Sequence, residues 1–119
     1  MPSKRALIIE DKDYLSDIIA TCLHNDFECI QLYSKEEALA HKEKADIAIL
    51  STNIRGARTE DLLSDLKVKF GIPVIILTSN NTSLIRIQML ELGADDVMTK
   101  PFNPDELRLR VLNLVKRNK

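Results

Sequence analysis

The sequence predicts an α/β protein built on one parallel, doubly wound sheet, in which five strands alternate with five helices. Short apolar runs rich in β-branched residues recur five times along the 119 residues. Amphipathic stretches with helical spacing follow the runs. Three runs are apolar throughout, as expected of strands that helices cover on both faces. A chain of this length supports one sizeable core, so we expect residues 1–119 to form a single domain.

The five predicted strands are short and bounded by polar residues. They span residues 6–9, 27–32, 47–50, 74–77 and 97–98. In a doubly wound sheet the crossovers are right-handed, and the functional crevice lies outside the carboxyl ends of the strands. The residues that follow each strand are therefore the candidates for a site.

The first and last helices carry clear core-facing stripes. Residues of the first stripe recur at helical spacing between the first two strands: Leu15, Ile18, Ile19, Cys22 and Leu23. The stripe of the last helix follows the same period: Leu107, Val111, Leu114 and Val115. Both helices are expected to pack against the sheet through these positions.

Capping residues mark where three helices begin. Ser34 followed by Glu37 is a capping box for the second helix. Thr59 is a candidate cap for the third helix. The fifth helix has an N-cap, a first-turn proline and an acid in the third position: Asn103, Pro104 and Glu106.

Charge and composition exclude several classes of function. Lys and Arg number 17 against 18 Asp and Glu, a net charge of −1, so this domain has no strong attraction to nucleic acid or membranes. No apolar run approaches the roughly 20 residues of a membrane span, and no signal-peptide pattern is present, so a cytoplasmic protein is expected. Cys22 and Cys29 lack metal-ligand spacing and are predicted to be buried free thiols; a redox-active pair is the alternative.

Acids, hydroxyls and a lysine follow the predicted strands. They are Glu10, Asp11, Asp13, Ser51, Asn53, Thr78, Ser79 and Lys100. The chain has no glycine-rich nucleotide-binding motif, and the acidic loop 10–13 would repel a cofactor phosphate, which argues against flavin or dinucleotide binding. An acidic pair suits a divalent cation such as Mg²⁺, and a lysine suits a nearby anion.

These residues resemble the receiver domain of bacterial two-component response regulators over essentially the whole chain. Glu10 and Asp11 resemble the acidic pair of the family, Thr78 its switch hydroxyl, and residues 100–102 its Lys-Pro-Phe motif. The resemblance implies a flavodoxin/CheY-like (βα)5 fold with strand order 2-1-3-4-5. Residues 93–96 and 100–107 resemble the OmpR/PhoB subfamily, in which a receiver precedes a winged-helix domain.

That subfamily implies that DNA is bound only through a separate C-terminal domain. The given sequence contains no helix-turn-helix, zinc motif or basic aromatic surface, so direct DNA binding by this piece is not expected. Residues 116–119 are interpreted as the beginning of a linker, with a frayed terminus as the alternative.

The chain departs from the family at the phospho-accepting aspartate, whose position Ser51 occupies. An aspartate is ionised at neutral pH, whereas a serine must be deprotonated, and His24 and His41 lie in helical stretches away from the crevice. The resemblance implies that Glu10, Asp11 and the backbone carbonyl of Asn53 hold Mg²⁺. With the third carboxylate missing, we expect this binding to be weak or absent.

Alternatives for the acidic pair remain open. Glu10 and Asp11 are also consistent with a solvated loop that is paired only with Lys100. Arg55 and Arg58, in a loop that departs from the family pattern, would act as built-in counter-ions for the acids or would be solvated. Val97 occupies the position of the switch aromatic in the family, so the aromatic half of the switch is absent.

The dimer face of the OmpR/PhoB subfamily is retained. In that subfamily, dimers form through the fourth helix, fifth strand and fifth helix. The corresponding charges and apolar positions are Arg86, Asp96, Glu106, Arg110, Ile87, Leu90 and Leu109. A two-fold axis would pair Arg86 with Glu106 and Asp96 with Arg110 across subunits. Leu109 lies off the core stripe of its helix, as expected of a partner contact; ordinary surface ion pairs are the alternative.

The predicted function is therefore not enzymatic. We expect an atypical receiver that acts as a phosphorylation-independent regulatory and homodimerisation module of a DNA-binding transcriptional regulator. The alternatives are a receiver controlled by Ser/Thr phosphorylation or another signal, and a stand-alone protein-interaction adaptor. A hydrolase with Ser51 as nucleophile is disfavoured, since neither a base nor an oxyanion motif is visible.

Overall fold

The computed structural model describes residues 3–80 and 82–117. The strands are β1 Arg5–Ile9, β2 Glu28–Leu32, β3 Ile47–Ser51, β4 Val74–Thr78 and β5 Asp96–Thr99. The helices are α1 Asp13–Leu23, α2 Lys35–Ala40, α3 Thr59–Phe70, α4 Ser83–Glu91 and α5 Pro104–Arg117. Of the predicted linker, residues 116 and 117 belong to α5, and residues 118–119 lie outside the described residues. None of the described helices is long and apolar enough to cross a bilayer.

The five strands form one parallel sheet in the order β2-β1-β3-β4-β5. This confirms the predicted fold class and strand order. The direction in which successive strands are added reverses between β1 and β3, so a crevice opens at the carboxyl ends of these two strands. The candidate pocket residues end a strand or follow one closely at this edge: Glu10, Asp11, Ser51, Asn53, Thr78 and Lys100.

Helices cover both faces of the sheet, which explains the continuous apolar runs. Along β1, Leu7 and Ile9 face the layer of α2, α3 and α4, while Ala6 and Ile8 face the layer of α1 and α5. Every residue of β3 and β4 is buried. Because both faces of a central strand are buried, polar alternation is absent, as the sequence indicated.

Three strands, β3, β4 and β5, each end one residue later than predicted. β3 ends at Ser51 and β4 at Thr78, and each of these hydroxyl residues is only 1% exposed. Periodicity marked only the apolar part of each strand, because a polar residue ends an apolar run even where the backbone continues in the sheet. The extension takes both hydroxyls into the buried end of the crevice.

The predicted capping box of α2 is present, with one change. Ser34 Oγ accepts a hydrogen bond from the backbone N–H of Glu37 at 3.1 Å. The Glu37 carboxylate in turn accepts from the backbone N–H of Tyr33 at 2.9 Å, one residue before the N-cap. The hydrogen bond from the Tyr33 N–H to Glu37 therefore also fixes the backbone just before the N-cap residue Ser34.

The other two caps have opposite outcomes. Asn103 Oδ1 accepts from the backbone N–H groups of Asp105 and Glu106, which confirms it as the cap of α5. The prediction for Thr59 is wrong, since Thr59 is the first residue of α3. Arg58 occupies the N-cap position and makes no side-chain capping bond. The first-turn acids Glu60 and Asp61 provide the charge that favours this end of the helix.

Both cysteines are free, as predicted, but they are partly rather than fully buried. Burial raises the pKa of Cys22 and raises the pKa of Cys29 from 9.0 to about 11. The thiolate is the reactive form, so a raised pKa makes the thiol inert. Cys29 is therefore the less reactive of the two positions.

We expect Cys29 to react with iodoacetamide far more slowly than an ordinary thiol. A pKa raised from 9.0 to about 11 lowers the thiolate fraction near neutral pH by about two orders of magnitude. The rate is read by mass spectrometry in Cys22→Ser, which leaves Cys29 alone, and Cys29→Ser is the matched control. Alkylation of Cys29 as fast as that of the unfolded chain would contradict this assignment.

Candidate functional site

Four sequence-predicted residues meet at the carboxyl ends of the strands. Glu10 follows β1, Ser51 and Thr78 end β3 and β4, and Lys100 follows β5. Glu10, Ser51 and Thr78 are each only 1% exposed. The Lys100 side chain is 19% exposed. We call these four residues the crevice pocket.

Glu10 is a buried carboxylate with both oxygens engaged. Its Oε1 accepts from Lys100 Nζ at 3.3 Å, and its Oε2 accepts from the backbone N–H of Lys12 at 3.0 Å. A charge buried to this degree requires a partner. The predicted pairing with Lys100 is present, but Glu10 is not part of a solvated loop.

Asp11 is more accessible and is held by a neighbouring loop. Its Oδ2 accepts from the backbone N–H of Arg55 at 2.9 Å, and its Oδ1 lies 3.8 Å from Lys12 Nζ. The Arg55 amide is the main reason that the pKa of Asp11 lies below its ordinary value, with the Lys12 charge adding to it. Arg55 thus reaches the acidic pair with its main chain.

The second arginine does not serve as a counter-ion for the acidic pair. Arg58 Nη2 lies 3.2 Å from Glu60 Oε2, and the Arg58 side chain is 72% exposed. The hypothesis that Arg58 neutralises the acidic pair is therefore wrong, because the first turn of α3 supplies a nearer carboxylate.

We expect the Asp11 contact to make stability depend on pH in the acid range. Because the pKa of Asp11 is lowered from 3.8, its contribution is complete above that value and is lost as the pH falls through the lowered pKa. Asp11→Asn should lower the free energy of unfolding by about 1 kcal/mol at neutral pH and by less in acid. Urea unfolding over a pH series measures this.

Glu91→Gln is the matched control for Asp11→Asn, because Glu91 is an exposed acid at the end of α4. The control should follow the pH dependence of the unchanged chain. An Asp11→Asn difference that grows on acidification would contradict the sign of the effect.

Ser51 has a buried hydroxyl without a partner. Its Oγ makes no hydrogen bond to any of residues 3–80 and 82–117. A general base must lie within hydrogen-bonding reach of the proton that it takes, and no described side chain does so for Ser51. Within the described residues, Ser51 thus lacks the hydrogen-bonded base that an activated serine has.

Thr78 is linked to a residue that the sequence analysis missed. Thr78 Oγ1 accepts from the backbone N–H of Asn80 at 3.1 Å and from Thr52 Oγ1 at 3.4 Å. Thr52 directly follows Ser51, so its position after the same strand was the available signal. Asn53 comes next, with a left-handed φ of 64°, a conformation that asparagine adopts more readily than most residues.

Comparison with known proteins shows the family to which a chain with this site belongs. The family model of the response regulator receiver domain matches residues 6–112. The chain belongs to this family. Its peptide bond between Lys100 and Pro101 is cis. The receiver fold accounts for the grouping of acids, hydroxyls and lysine at one edge of the sheet.

Curated relatives of this receiver are about twice as long. Regulatory protein VanRc of Enterococcus gallinarum is 33% identical over 118 residues, which cover 97% of this chain and 51% of the relative. Sensory transduction protein RegX3 of Mycolicibacterium smegmatis is 34% identical over 114 residues, which cover 93% of this chain and 50% of the relative. The chain thus spans about half the length of the curated relatives it matches.

A solved structure confirms the receiver fold. The receiver domain of the Francisella response regulator 1452 superposes with a TM-score of 0.90 at 29% identity, covering 98% of this chain and 100% of the other. A two-component response regulator from Clostridium difficile, with a TM-score of 0.92, is 21% identical over 98% of this chain and 99% of the other, and shows the fold alone.

The apolar positions of the predicted dimer face are exposed in the receiver. Ile87 is 53%, Leu90 46% and Leu109 54% exposed. Leu109 lies outside the buried stripe of α5, as the helical period indicated. These side chains are available to a partner, and their role in dimerisation stays a prediction.

The charged positions of the same face already have partners within one chain. Arg110 Nη1 lies 2.8 Å from Asp96 Oδ2, and Arg110 Nη2 lies 2.9 Å from Glu106 Oε2. Arg86 Nη1 donates to the carbonyl of Val97 at 3.1 Å, and Asp96 Oδ1 accepts from the N–H of Val97 at 2.9 Å. An intersubunit pairing of these charges would therefore share or exchange existing bonds.

Val97 itself is buried, with 1% exposure. It packs in the core cluster on the α2, α3 and α4 side of the sheet. Valine has neither an aromatic ring nor a hydroxyl group, so its side chain cannot alternate between a buried position and a polar, solvent-exposed one. The structure thus places Val97 in the core.

Proposed function

We propose that this receiver is of the OmpR/PhoB type and works without aspartyl phosphorylation, as a regulatory and dimerisation module of a cytoplasmic transcriptional regulator. DNA recognition is assigned to a separate C-terminal domain. The observation that carries the proposal is Ser51, whose buried hydroxyl at the end of β3 has no hydrogen-bond partner within residues 3–80 and 82–117. Phosphoryl transfer to this position requires an ionised oxygen, and no side chain of the described residues is placed to act as its base.

The proposal includes weak or absent Mg²⁺ binding at Glu10, Asp11 and the Asn53 carbonyl. Both oxygens of Glu10 and one oxygen of Asp11 accept hydrogen bonds within the chain. No group of three or more acid, histidine or cysteine side chains gathers among the described residues. Because Ser51 adds no charge, these residues do not fit a hard cation that prefers several carboxylates.

Control of Ser51 by a serine/threonine kinase is the less favoured alternative. A kinase must bring the hydroxyl into its own active site, and Ser51 is only 1% exposed at the end of a central strand. Modification would require β3 to leave the sheet, where it pairs with both β1 and β4. A stand-alone adaptor would use the same exposed face as the dimer.

The proposed dimer uses α4, β5 and α5 around a two-fold axis. Each exposed ion pair contributes about 0.5 kcal/mol, so most of the affinity must come from the apolar centre. That centre consists of Ile87, Leu90 and Leu109, each about half exposed in one chain.

Acetyl phosphate with Mg²⁺ tests the proposal, with intact mass as the readout. We expect no phosphoryl adduct on the unchanged chain and an adduct on Ser51→Asp, which restores a carboxylate at the end of β3. In a second experiment, beryllofluoride is added to both chains in place of acetyl phosphate, and the oligomeric state of each chain is compared before and after the addition. A phosphoryl adduct on the chain that carries Ser51 would overturn the proposal.

We expect Leu109→Asp to convert the dimer to a monomer. The substitution places a charge in the apolar centre of the face, where it cannot be solvated in the dimer. Sedimentation velocity at increasing concentration measures the change. Val68→Asp is the matched control, since Val68 is 85% exposed on α3 and lies outside the proposed face.

Two results would contradict the dimer model. One is a strictly monomeric unchanged chain at high concentration. The other is an equal loss of association in Leu109→Asp and Val68→Asp.

A further inference from the structure

A cleft of about 590 Å³ lies beside the crevice pocket, between the ends of β3 and β4 and the helices α3 and α4. This volume is within the range of about 300–1,000 Å³ that is typical of small-molecule sites. Its apolar wall is formed by Ile85 and the buried Met89 of α4. The rest consists of hydroxyl and amide side chains, among them Thr52, Thr59 and Asn80, and one carboxylate, Glu60.

We propose that this cleft binds a small, neutral, polyhydroxylated molecule of the chemical class of monosaccharides. Hydroxyl groups of such a ligand both donate and accept, as threonine hydroxyls and asparagine amides also do. The C–H face of its ring would pack on the apolar wall. Polar groups beside an apolar wall can fix the orientation of a small ligand, and in this cleft they form most of the lining, which suits a ligand rich in hydroxyls.

The charge of the cleft favours a neutral ligand. Among the described residues that line it, Glu60 is the only ionisable one. Hydrogen bonds from its own backbone amide and from Arg58 lower the pKa of Glu60, so it is ionised at neutral pH. That charge is already balanced by the contact with Arg58 at 3.2 Å, so a cationic ligand gains little.

An anionic ligand is disfavoured for a different reason. No lysine, arginine or histidine is found among the described lining residues, so a phosphate or carboxylate would meet Glu60 without a compensating cation. A ligand hydroxyl, in contrast, donates to the Glu60 carboxylate, and a hydrogen bond to a charged acceptor is stronger than one between neutral groups.

The cleft is connected to the crevice pocket through two hydroxyls. Thr52 lines the cleft and donates to Thr78 over a long 3.4 Å contact. A ligand hydroxyl that bonds Thr52 would compete with this contact at the end of β4, just before α4. Such a ligand would supply a signal for the proposed function. Thr78 and Asn53 of the site described above also line the cleft, but Glu10, Ser51 and Lys100 do not, so ligand binding requires no phosphoryl chemistry at Ser51.

Nuclear magnetic resonance titration tests the inference. The ¹⁵N-labelled chain is titrated separately with D-glucose, D-galactose and myo-inositol, and with glucose 6-phosphate and glucosamine as anionic and cationic counterparts. We expect at least one neutral compound to give saturable amide shifts centred on Thr52, Thr59 and Ile85. The charged counterparts should bind more weakly. Tighter binding of either counterpart, or no saturable shift with any neutral compound, would overturn the proposal.

Glu60→Gln separates specific binding from weak surface contact. We expect it to weaken binding of the neutral ligand about tenfold, since a charged hydrogen-bond acceptor becomes a neutral one. Glu91→Gln removes an exposed acid outside the lining and should leave the affinity unchanged, and thermal unfolding verifies that both variants fold. Equal affinity in Glu60→Gln and the unchanged chain would also overturn the proposal. The acetyl phosphate experiment measures phosphoryl transfer and not sugar binding, so the two proposals fail independently.

Discussion

Replacing Lys100 by methionine is expected to lower the free energy of unfolding by about 3 kcal/mol at neutral pH. The Lys100 ammonium lies 3.3 Å from Glu10 Oε1, and Glu10 is only 1% exposed. Without the lysine, the Glu10 carboxylate keeps its hydrogen bond from the Lys12 amide and loses its only cationic partner among the described residues. Removing one partner of a buried pair costs far more than the pair itself contributes, because the remaining charge is left uncompensated.

Urea unfolding measures the effect, and a double variant provides the control. Glu10→Gln combined with Lys100→Met removes both charges and should recover most of the lost stability. Lys67→Met is a second control, since Lys67 pairs with the one-third exposed Asp95 and should cost less. A Lys100→Met variant that is as stable as the unchanged chain would show that water reaches Glu10.

Ser51→Asp is expected to destabilise the chain by about 2–3 kcal/mol in the absence of divalent cations and to make its stability depend on Mg²⁺. Ser51 is 1% exposed, so the variant buries a second carboxylate in the crevice pocket, which already holds Glu10. Like charges in a buried site disfavour one another. A cation that binds only the folded state then adds RT ln(1 + [Mg²⁺]/Kd) to its stability.

Thermal unfolding with and without Mg²⁺ measures this linkage. The unchanged chain should show little or no shift, while the melting temperature of Ser51→Asp should rise with Mg²⁺ concentration. Ser51→Ala is the matched control. It removes a buried hydroxyl that bonds to none of the described residues and should be neutral or stabilising by about 1 kcal/mol. An equal Mg²⁺ response in the unchanged chain would contradict the proposed loss of the metal site.

Much of the fold follows from the sequence because its signals are local. Apolar runs and helical stripes located all five strands and helices, since burial on both faces leaves no polar position in a central strand. The cap at Asn103 could also be predicted from local sequence, because the two residues that donate to it are only two and three positions away. Thr59 failed as a cap because α3 begins one residue earlier than the cap pattern requires.

The partners within the site depend on tertiary contacts that the sequence does not encode locally. The Arg55 amide reaches Asp11 across 44 positions of the chain, and only the folded loop shows that its main chain makes the contact. Thr52 was missed for a similar reason, because its link to Thr78 arises from the pairing of β3 and β4. That Ser51 occupies the phospho-accepting position is a prediction from the resemblance to receivers, whereas only the folded structure shows that its hydroxyl has no hydrogen-bond partner among the described residues.

The outer edge of β5 is closed by side chains of its own chain. The N–H of Val97 is bonded to Asp96 and its carbonyl to Arg86, so neither group is free to template another strand. Exposed strand edges promote runaway sheet growth, and charged side chains along an edge suppress it. The two bonds at Val97 thus hinder strand addition at this point of the edge, beside the half-exposed Leu90 and Leu109 of the adjoining helices.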